Sequence, residues 1–136
     1  FTGFSTEMAE GFPDIRVLPP ECSFLDESLS ERIAMRAIQS DSELRGIYLT
    51  SAGREGVYRA VHAAHRSEKL HIVVHDVTEG NIKMVKNGTV DFIIGQDVNT
   101  QGTLPIRLLY DYLERHRFPK ERMNMTDITI KFRGNV

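Results

Sequence analysis

The chain has 136 residues, which is the size of one domain and enough to bury a substantial hydrophobic core. Hydrophobic residues make up 40% and charged residues 26% of the chain, which argues against both disorder and membrane spans. The formal net charge of -2 gives no reason to expect nucleic acid or an anionic membrane as a partner of this segment. The single cysteine, Cys22, cannot form an internal disulfide, which agrees with a reducing compartment. We therefore expect residues 1–136 to form one domain without membrane contact.

The first part of the chain predicts two helices and a short strand. The chain opens at Phe1 with no initiator Met, no leader pattern and no lipid-attachment motif, so we expect it to be a fragment of a longer chain. Apolar residues at helical spacing predict a first helix that ends near Gly11. Residues 15–18 are mostly apolar and precede two prolines, which predicts a short strand. Asp26 or Ser28 can cap the second helix.

Residues 70–78 are the stretch around which the rest is organised. They form an apolar, β-branched run with a helical pattern on either side, which is typical of a parallel strand covered on both faces. In open parallel sheets, ligands bind beyond the carboxyl ends of the strands. The carboxylate of Asp76 is expected at that end.

Two further strands end in polar side chains. The strand predicted at residues 46–51 ends in Thr50 and Ser51, and the strand predicted at residues 90–97 ends near Gln96. Together with the carboxylate, these strands present hydroxyl and amide groups on one rim of the sheet. Such a set of hydrogen-bonding groups suits a polyol.

The remaining segments complete an alternating pattern. Residues 54–66 and 79–86 are amphipathic and predict helices, and a long helix is expected with Thr103 as its cap and Pro105 in its first turn. Residues 127–132 alternate with period two, which predicts an edge strand with one wet face. We therefore predict an α/β fold, a three-layer αβα sandwich around a mostly parallel sheet with right-handed crossovers.

Three phrases of the sequence resemble a known fold family. They are residues 50–60 (TSAGREGVYRA), residues 74–78 (VHDVT) and residues 88–97 (GTVDFIIGQD), the last followed by Gln101 and Gly102. In this order and spacing they resemble the C-terminal part of the type I periplasmic-binding-protein fold. That fold is shared by sugar-binding proteins of ABC transporters and by effector domains of lactose-repressor (LacI) family regulators.

The resemblance assigns expected roles to individual residues. Asp76 resembles the family aspartate that accepts two sugar hydroxyls, and Gln96 resembles the glutamine at the end of the following strand. Thr50 and Ser51 stand where an Asn or Asp is common, so their role stays open. Local roles compete with these: Asp76 could cap a turn, Gln96 could be a surface amide, and the two hydroxyls could cap the helix that begins at Arg54.

Other side chains are weaker candidates for a functional role. The chain has no Trp, so a stacking platform for a sugar ring must come from Tyr48, Tyr58 or a part of the fold outside this chain. His62 and His65 are three residues apart but lack a Cys or acidic partner at zinc-like spacing, so we expect no metal and no cofactor. His75 adjoins the rim carboxylate, but successive strand residues point to opposite faces, which disfavours a catalytic dyad.

The family fold contains parts that this chain lacks. Family members carry a whole N-terminal lobe and a central first strand that precedes the first helix of this lobe. The family pattern places an arginine just upstream of a Gly-Phe pair, which Gly3 and Phe4 match, so that arginine is either cut off or replaced here. If the middle strand is missing, backbone groups are left unpaired, and the fragment is expected to pair with another copy or with further residues.

The resemblance is shared by regulators and transporter receptors, and the Arg-rich surface, the unpaired Cys22 and the tail at residues 128–135 favour the regulator. We therefore predict a cytoplasmic, sugar-sensing effector domain of a LacI-type transcriptional regulator. The expected partners are a small-molecule effector, a second copy in a homodimer or higher homo-oligomer, and operator DNA only through a missing N-terminal domain. The alternative is a sugar-binding protein of an ABC transporter. An enzyme is the weakest reading, and no catalytic residue is predicted, because no phosphate-binding glycine loop or nucleophile elbow accompanies Asp76.

Overall fold

The structure is a computed structural model, and it describes residues 1–67 and 70–136. The elements in chain order are α1 (Thr2–Gly11), α2 (Glu27–Ser40), β1 (Gly46–Leu49), α3 (Arg54–Ala63), β2 (His71–His75), α4 (Glu79–Lys86), β3 (Phe92–Gln96), α5 (Val98–Arg115) and β4 (Ile128–Lys131). Across the described residues, no helix is both long and apolar enough to cross a membrane.

The strands form a mixed sheet in the order β1-β2-β3-β4. The first three strands run parallel, with Tyr48 opposite Val73 and Val73 opposite Phe92, whereas β4 runs antiparallel to β3 with Ile128 opposite Gln96. The predicted α/β fold with a mostly parallel sheet is therefore confirmed. The predicted edge position of the last strand is also confirmed, and β1 forms the other edge.

The hydrophobic core lies on one face of the sheet. Alternate residues of β2 and β3, Ile72, Val74 and Ile93, are completely buried there, and Ala60 and Val61 of α3 belong to the same cluster. This alternation follows from the strand geometry, which sends successive side chains to opposite faces. Asp26 caps α2 by accepting a hydrogen bond from the backbone N–H of Leu29, as one of the two predicted caps.

Helices α2 and α3 approach closely because α3 carries a glycine in its first turn. A Cβ built on Gly56 would overlap the carbonyl oxygen of Glu27 and lie 2.9 Å from the backbone nitrogen of Glu31. Only glycine allows the two backbones to come this near. This close contact lies in the first turn of α3, two residues after Arg54.

The opposite face of the sheet is less covered. Phe4 of α1 stacks on Tyr48 of β1 with ring centroids 4.7 Å apart. Phe92 and Ile130 are exposed on the same face, and Phe132 packs beside Phe92. Among the described residues, neither α1 nor α5 contributes a fully buried side chain.

Two local predictions were wrong. Residues 15–18 do not form a strand, because they have no neighbouring strand to supply backbone hydrogen bonds. The long helix begins at Val98 and not after Thr103, since Asp97 accepts a hydrogen bond from the backbone N–H of Thr100 at 3.1 Å and acts as the cap. Thr103 instead donates its hydroxyl to the carbonyl of Asn99, and Pro105 lies inside the helix, where it removes one backbone hydrogen bond.

Candidate ligand-binding site

Asp76 lies immediately after β2, at the carboxyl edge of the sheet, as predicted. Its backbone adopts a left-handed conformation with φ of 71°, which Asp tolerates better than most residues. Its N–H donates to the carbonyl of Ile94, and its carbonyl accepts from the N–H of Thr78, each at 3.0 Å. The strand therefore ends in a tight turn that presents the carboxylate at the rim.

The carboxylate of Asp76 has a different partner at each oxygen. Arg54, the first residue of α3, donates from Nη2 to Oδ2 at 2.7 Å. Gln96, the last residue of β3, donates from Nε2 to Oδ1 at 3.2 Å. The side chain of Arg54 is 17% exposed and that of Asp76 is 44% exposed, so the pair is accessible to a ligand and electrically balanced.

The polar rim continues beyond Gln96. Gln101 in the first turns of α5 donates from Nε2 to Oε1 of Gln96 at 3.4 Å and to Oγ1 of Thr126 at 3.2 Å. A continuous line of polar side chains thus runs from the start of α3 to the segment that precedes β4. All of these groups can exchange hydrogen bonds with hydroxyls.

Thr50 and Ser51 follow β1 and are exposed. The suggestion that they cap α3 was wrong, because the cap position is held by Gly53, which has φ of 90° and no side chain. Within the described residues, the structure records no side-chain hydrogen bond for either hydroxyl. The structure therefore does not link them to the carboxylate cluster by a hydrogen bond.

The two tyrosines differ in access. Tyr48 is half-buried, and its hydroxyl lies 2.7 Å from Nε2 of His75 while its ring packs on Phe4. Tyr58 is only 4% exposed, so it cannot be a stacking platform for a sugar. Burial raises the pKa of Tyr58 to about 12, and the nearby Arg54 charge acts in the opposite direction.

Sequence reasoning missed three polar residues of this site: Arg54, Asn81 and Gln101. Asn81 of α4 is 1% exposed and donates from Nδ2 to the carbonyls of His75 and Asp76 at 3.0 and 2.7 Å. The position of Arg54 at a helix start, a few residues after the end of β1, was an available signal. Nothing in the sequence pattern indicated that Asn81 would face the sheet.

The two histidines of the predicted pair lie at the surface. His62 and His65 are both exposed, as expected for His62 from the inward-facing residues of α3. In residues 1–67 and 70–136 there is no cluster of three or more His, Cys, Asp or Glu side chains that could hold a metal ion. The side chain of His75 is held by Tyr48 and not by Asp76.

Comparison with solved structures finds proteins of similar fold. An ABC transporter solute-binding protein from Agrobacterium vitis, bound with α-D-tagatopyranose, matches with a TM-score of 0.88 and 22% identity over 98% of this chain and 44% of that one. A sugar-binding protein of a sugar ABC transporter from Bacillus halodurans matches with a TM-score of 0.85 and 25% identity over 98% of this chain and 50% of that one. A second Agrobacterium vitis solute-binding protein, with bound D-fucose, has a TM-score of 0.85 at 18% identity, over 98% of this chain and 46% of that one.

The chain spans about half the length of these proteins. No curated protein sequence gives a significant match. A family profile described as the periplasmic binding protein domain matches residues 1–117, which is most of the chain. The chain therefore belongs to the periplasmic binding protein domain family.

Proposed function

We propose that this chain is the sugar-binding lobe of a binding protein, in which Asp76, Arg54 and Gln96 hold the hydroxyl groups of a neutral sugar. The observation that carries this proposal is the carboxylate of Asp76 between a guanidinium and an amide at the carboxyl edge of the sheet. This is the edge at which open parallel sheets bind ligands.

The chemistry of the cluster matches a polyol. A carboxylate can accept from two vicinal hydroxyls, and hydrogen bonds to a charged group are roughly twice as strong as neutral ones. Arg54 has five N–H donors, of which one is directed at Asp76, and the amide of Gln96 both donates and accepts. Because the charges of Arg54 and Asp76 balance, a neutral ligand is favoured over an anionic one.

Binding is better supported than catalysis. Both oxygens of Asp76 are engaged by hydrogen-bond donors, and His75 is turned to Tyr48. A carboxylate held in this way is suited to orienting hydroxyls. We therefore propose a binding protein and not an enzyme.

We further propose that the full protein is a sugar receptor of the ABC transporter type. The support is that the similar structures from Agrobacterium vitis and Bacillus halodurans are transporter binding proteins, two of them with a monosaccharide bound. The predicted LacI-type regulator, with its cytoplasmic location, dimer and operator DNA, remains a prediction without such support. The two readings share the site and differ in what precedes residue 1: a signal peptide supports the receptor, and a helix-turn-helix supports the regulator.

The direct test is calorimetric titration of the full-length protein with D-fucose, D-arabinose, D-galactose and D-tagatose, and with glucose 6-phosphate as a charged control. We expect saturable binding of at least one neutral sugar, with Kd on the order of micromolar. The sugar phosphate should bind far more weakly, because its charge has no counterpart at the balanced pair. A folded protein that binds none of the neutral sugars would contradict the proposal.

A further inference from the structure

Asn81 is a buried amide whose hydrogen-bonding groups are all committed. It lies in the first turn of α4 and is 1% exposed. Its Nδ2 donates to the carbonyls of His75 and Asp76 at 3.0 and 2.7 Å, and its Oδ1 accepts from the hydroxyl of Tyr58 at 3.0 Å. One side chain thus connects α3, α4, the last residue of β2 and the turn residue Asp76.

The turn at Asp76 needs such support. A left-handed backbone conformation is uncommon for a residue other than glycine and persists where the surroundings impose it. The carbonyl of Asp76 receives two hydrogen bonds, from the N–H of Thr78 and from Nδ2 of Asn81. The second of these bonds comes from a buried side chain that cannot exchange its partner for water, so it constrains the turn more firmly than a solvent-exposed bond would.

We propose that Asn81 is a positioning residue for sugar binding: its amide holds the turn that directs the carboxylate of Asp76 toward Arg54 and Gln96. The inference rests on the proposed function, because it assigns Asn81 a part in affinity and not only in folding. Asn81 does not need to touch the ligand. It acts through the backbone of Asp76, and Tyr58 fixes the orientation of its amide.

The hydroxyl of Tyr58 determines which end of the amide faces the strand. It donates to Oδ1 of Asn81, so the donor Nδ2 is directed to the carbonyls of the turn. A Tyr58→Phe variant removes this bond but leaves both N–H donors of Asn81 in place. It is therefore expected to lower stability while changing affinity less than replacement of Asn81 does.

Three variants of the full-length protein separate positioning from general stability. Asn81→Asp keeps the shape and the acceptor for Tyr58 but replaces the donor with an oxygen that faces two carbonyls. Asn81→Ala removes the whole amide and serves if the charged variant does not fold. Val85→Ala is the matched control, since Val85 lies in the same helix, is 1% exposed and belongs to the core cluster.

Three measurements on each variant decide the question. They are the thermal midpoint, the Kd for the sugar that binds best to the unmodified protein, measured well below that midpoint, and a crystal structure of the unliganded form. We expect either Asn81 variant to bind roughly 10- to 100-fold more weakly, as when a group that orients a binding side chain is removed. We also expect Asp76 to leave its left-handed conformation and its contact with Arg54. Val85→Ala should keep both affinity and contact at an equal or greater loss of thermal stability.

The outcomes distinguish this inference from the proposed function. An Asn81 variant with the Asp76 turn intact and affinity equal to that of Val85→Ala overturns the positioning role while sugar binding stands. If the unmodified protein binds no sugar, the proposed function fails, and the crystal structures still decide whether Asn81 holds the turn. An unchanged Asp76 turn in both Asn81 variants would also overturn the claim that Asn81 holds this turn.

Discussion

Replacing Gly56 with Ala tests the helix contact that brings Arg54 to the site. The added Cβ would overlap the carbonyl oxygen of Glu27 and lie 2.9 Å from the backbone nitrogen of Glu31. Both are backbone atoms of a helix and cannot move independently, so α2 and α3 must separate. Overpacking of this kind costs about 1–3 kcal/mol or more, and the better helix propensity of Ala returns only about 0.5–1 kcal/mol.

We therefore expect a net loss of about 2 kcal/mol in the free energy of unfolding, and a thermal midpoint lower by roughly 5–10 °C for a domain of this size. Gly102→Ala is the matched control, because Gly102 lies inside α5 and a Cβ there meets no atom within 4 Å. That variant should gain about 0.5–1 kcal/mol. Melting curves by circular dichroism on both variants decide the matter, and a Gly56→Ala protein as stable as Gly102→Ala would refute the packing argument.

Three further changes test separate parts of the account. Burial raises the pKa of Tyr58 from its ordinary 10.0 to about 12, so the stability that its neutral form contributes is complete below pH 10 and is lost as the pH rises toward 12. Across this pH range, the free energy of unfolding should fall less steeply for Tyr58→Phe than for the unmodified protein. An equal fall in the two proteins would contradict the burial effect. The side chain of Thr78 caps α4 by accepting a hydrogen bond from the N–H of Asn81. Thr78→Ala should therefore lower the free energy of unfolding, measured with urea, by about 1 kcal/mol. An unchanged free energy of unfolding would show that the cap does not stabilise the protein. Gln96→Ala removes one hydrogen-bond donor from the carboxylate of Asp76. It should weaken sugar binding by about 0.5–1.5 kcal/mol, or roughly two- to twelvefold in Kd by calorimetry. A loss as large as that of Asp76→Ala would contradict a contribution of Gln96 through a single hydrogen bond.

The elements that sequence patterns predicted well are those whose own residues carry the signal. The apolar run of β2 and the amphipathic pattern of α4 follow local rules, and the structure has both elements. Residues 15–18 have a similar apolar pattern but no partner strand, and a strand exists only where a neighbour satisfies its backbone. The apolar pattern of one segment does not show whether a neighbouring strand is present.

The site residues at strand ends could be predicted from the sequence, whereas those on helices could not. Asp76 and Gln96 lie at strand ends, and because parallel strands end at one edge, the sequence alone predicted that they would be close. Arg54 and Asn81 reach the same place from helices, and their contacts depend on how closely α3 and α4 approach the sheet. That distance is set by packing, including the glycine contact with α2, and not by any pattern within α3 or α4.

The most direct test of the central claim compares the unmodified full-length protein with its Asp76→Ala variant. Each is titrated by calorimetry with a neutral monosaccharide that binds the unmodified protein, and a melting curve is recorded for each. Removing the carboxylate leaves sugar hydroxyls, Arg54 and Gln96 without their shared partner, so we predict a loss on the order of 2–4 kcal/mol, or roughly thirtyfold to a thousandfold in Kd. The fold should survive, because Asp76 lies at the rim and its side chain is 44% exposed. Unchanged affinity in a folded Asp76→Ala protein would contradict the claim that this carboxylate binds the sugar.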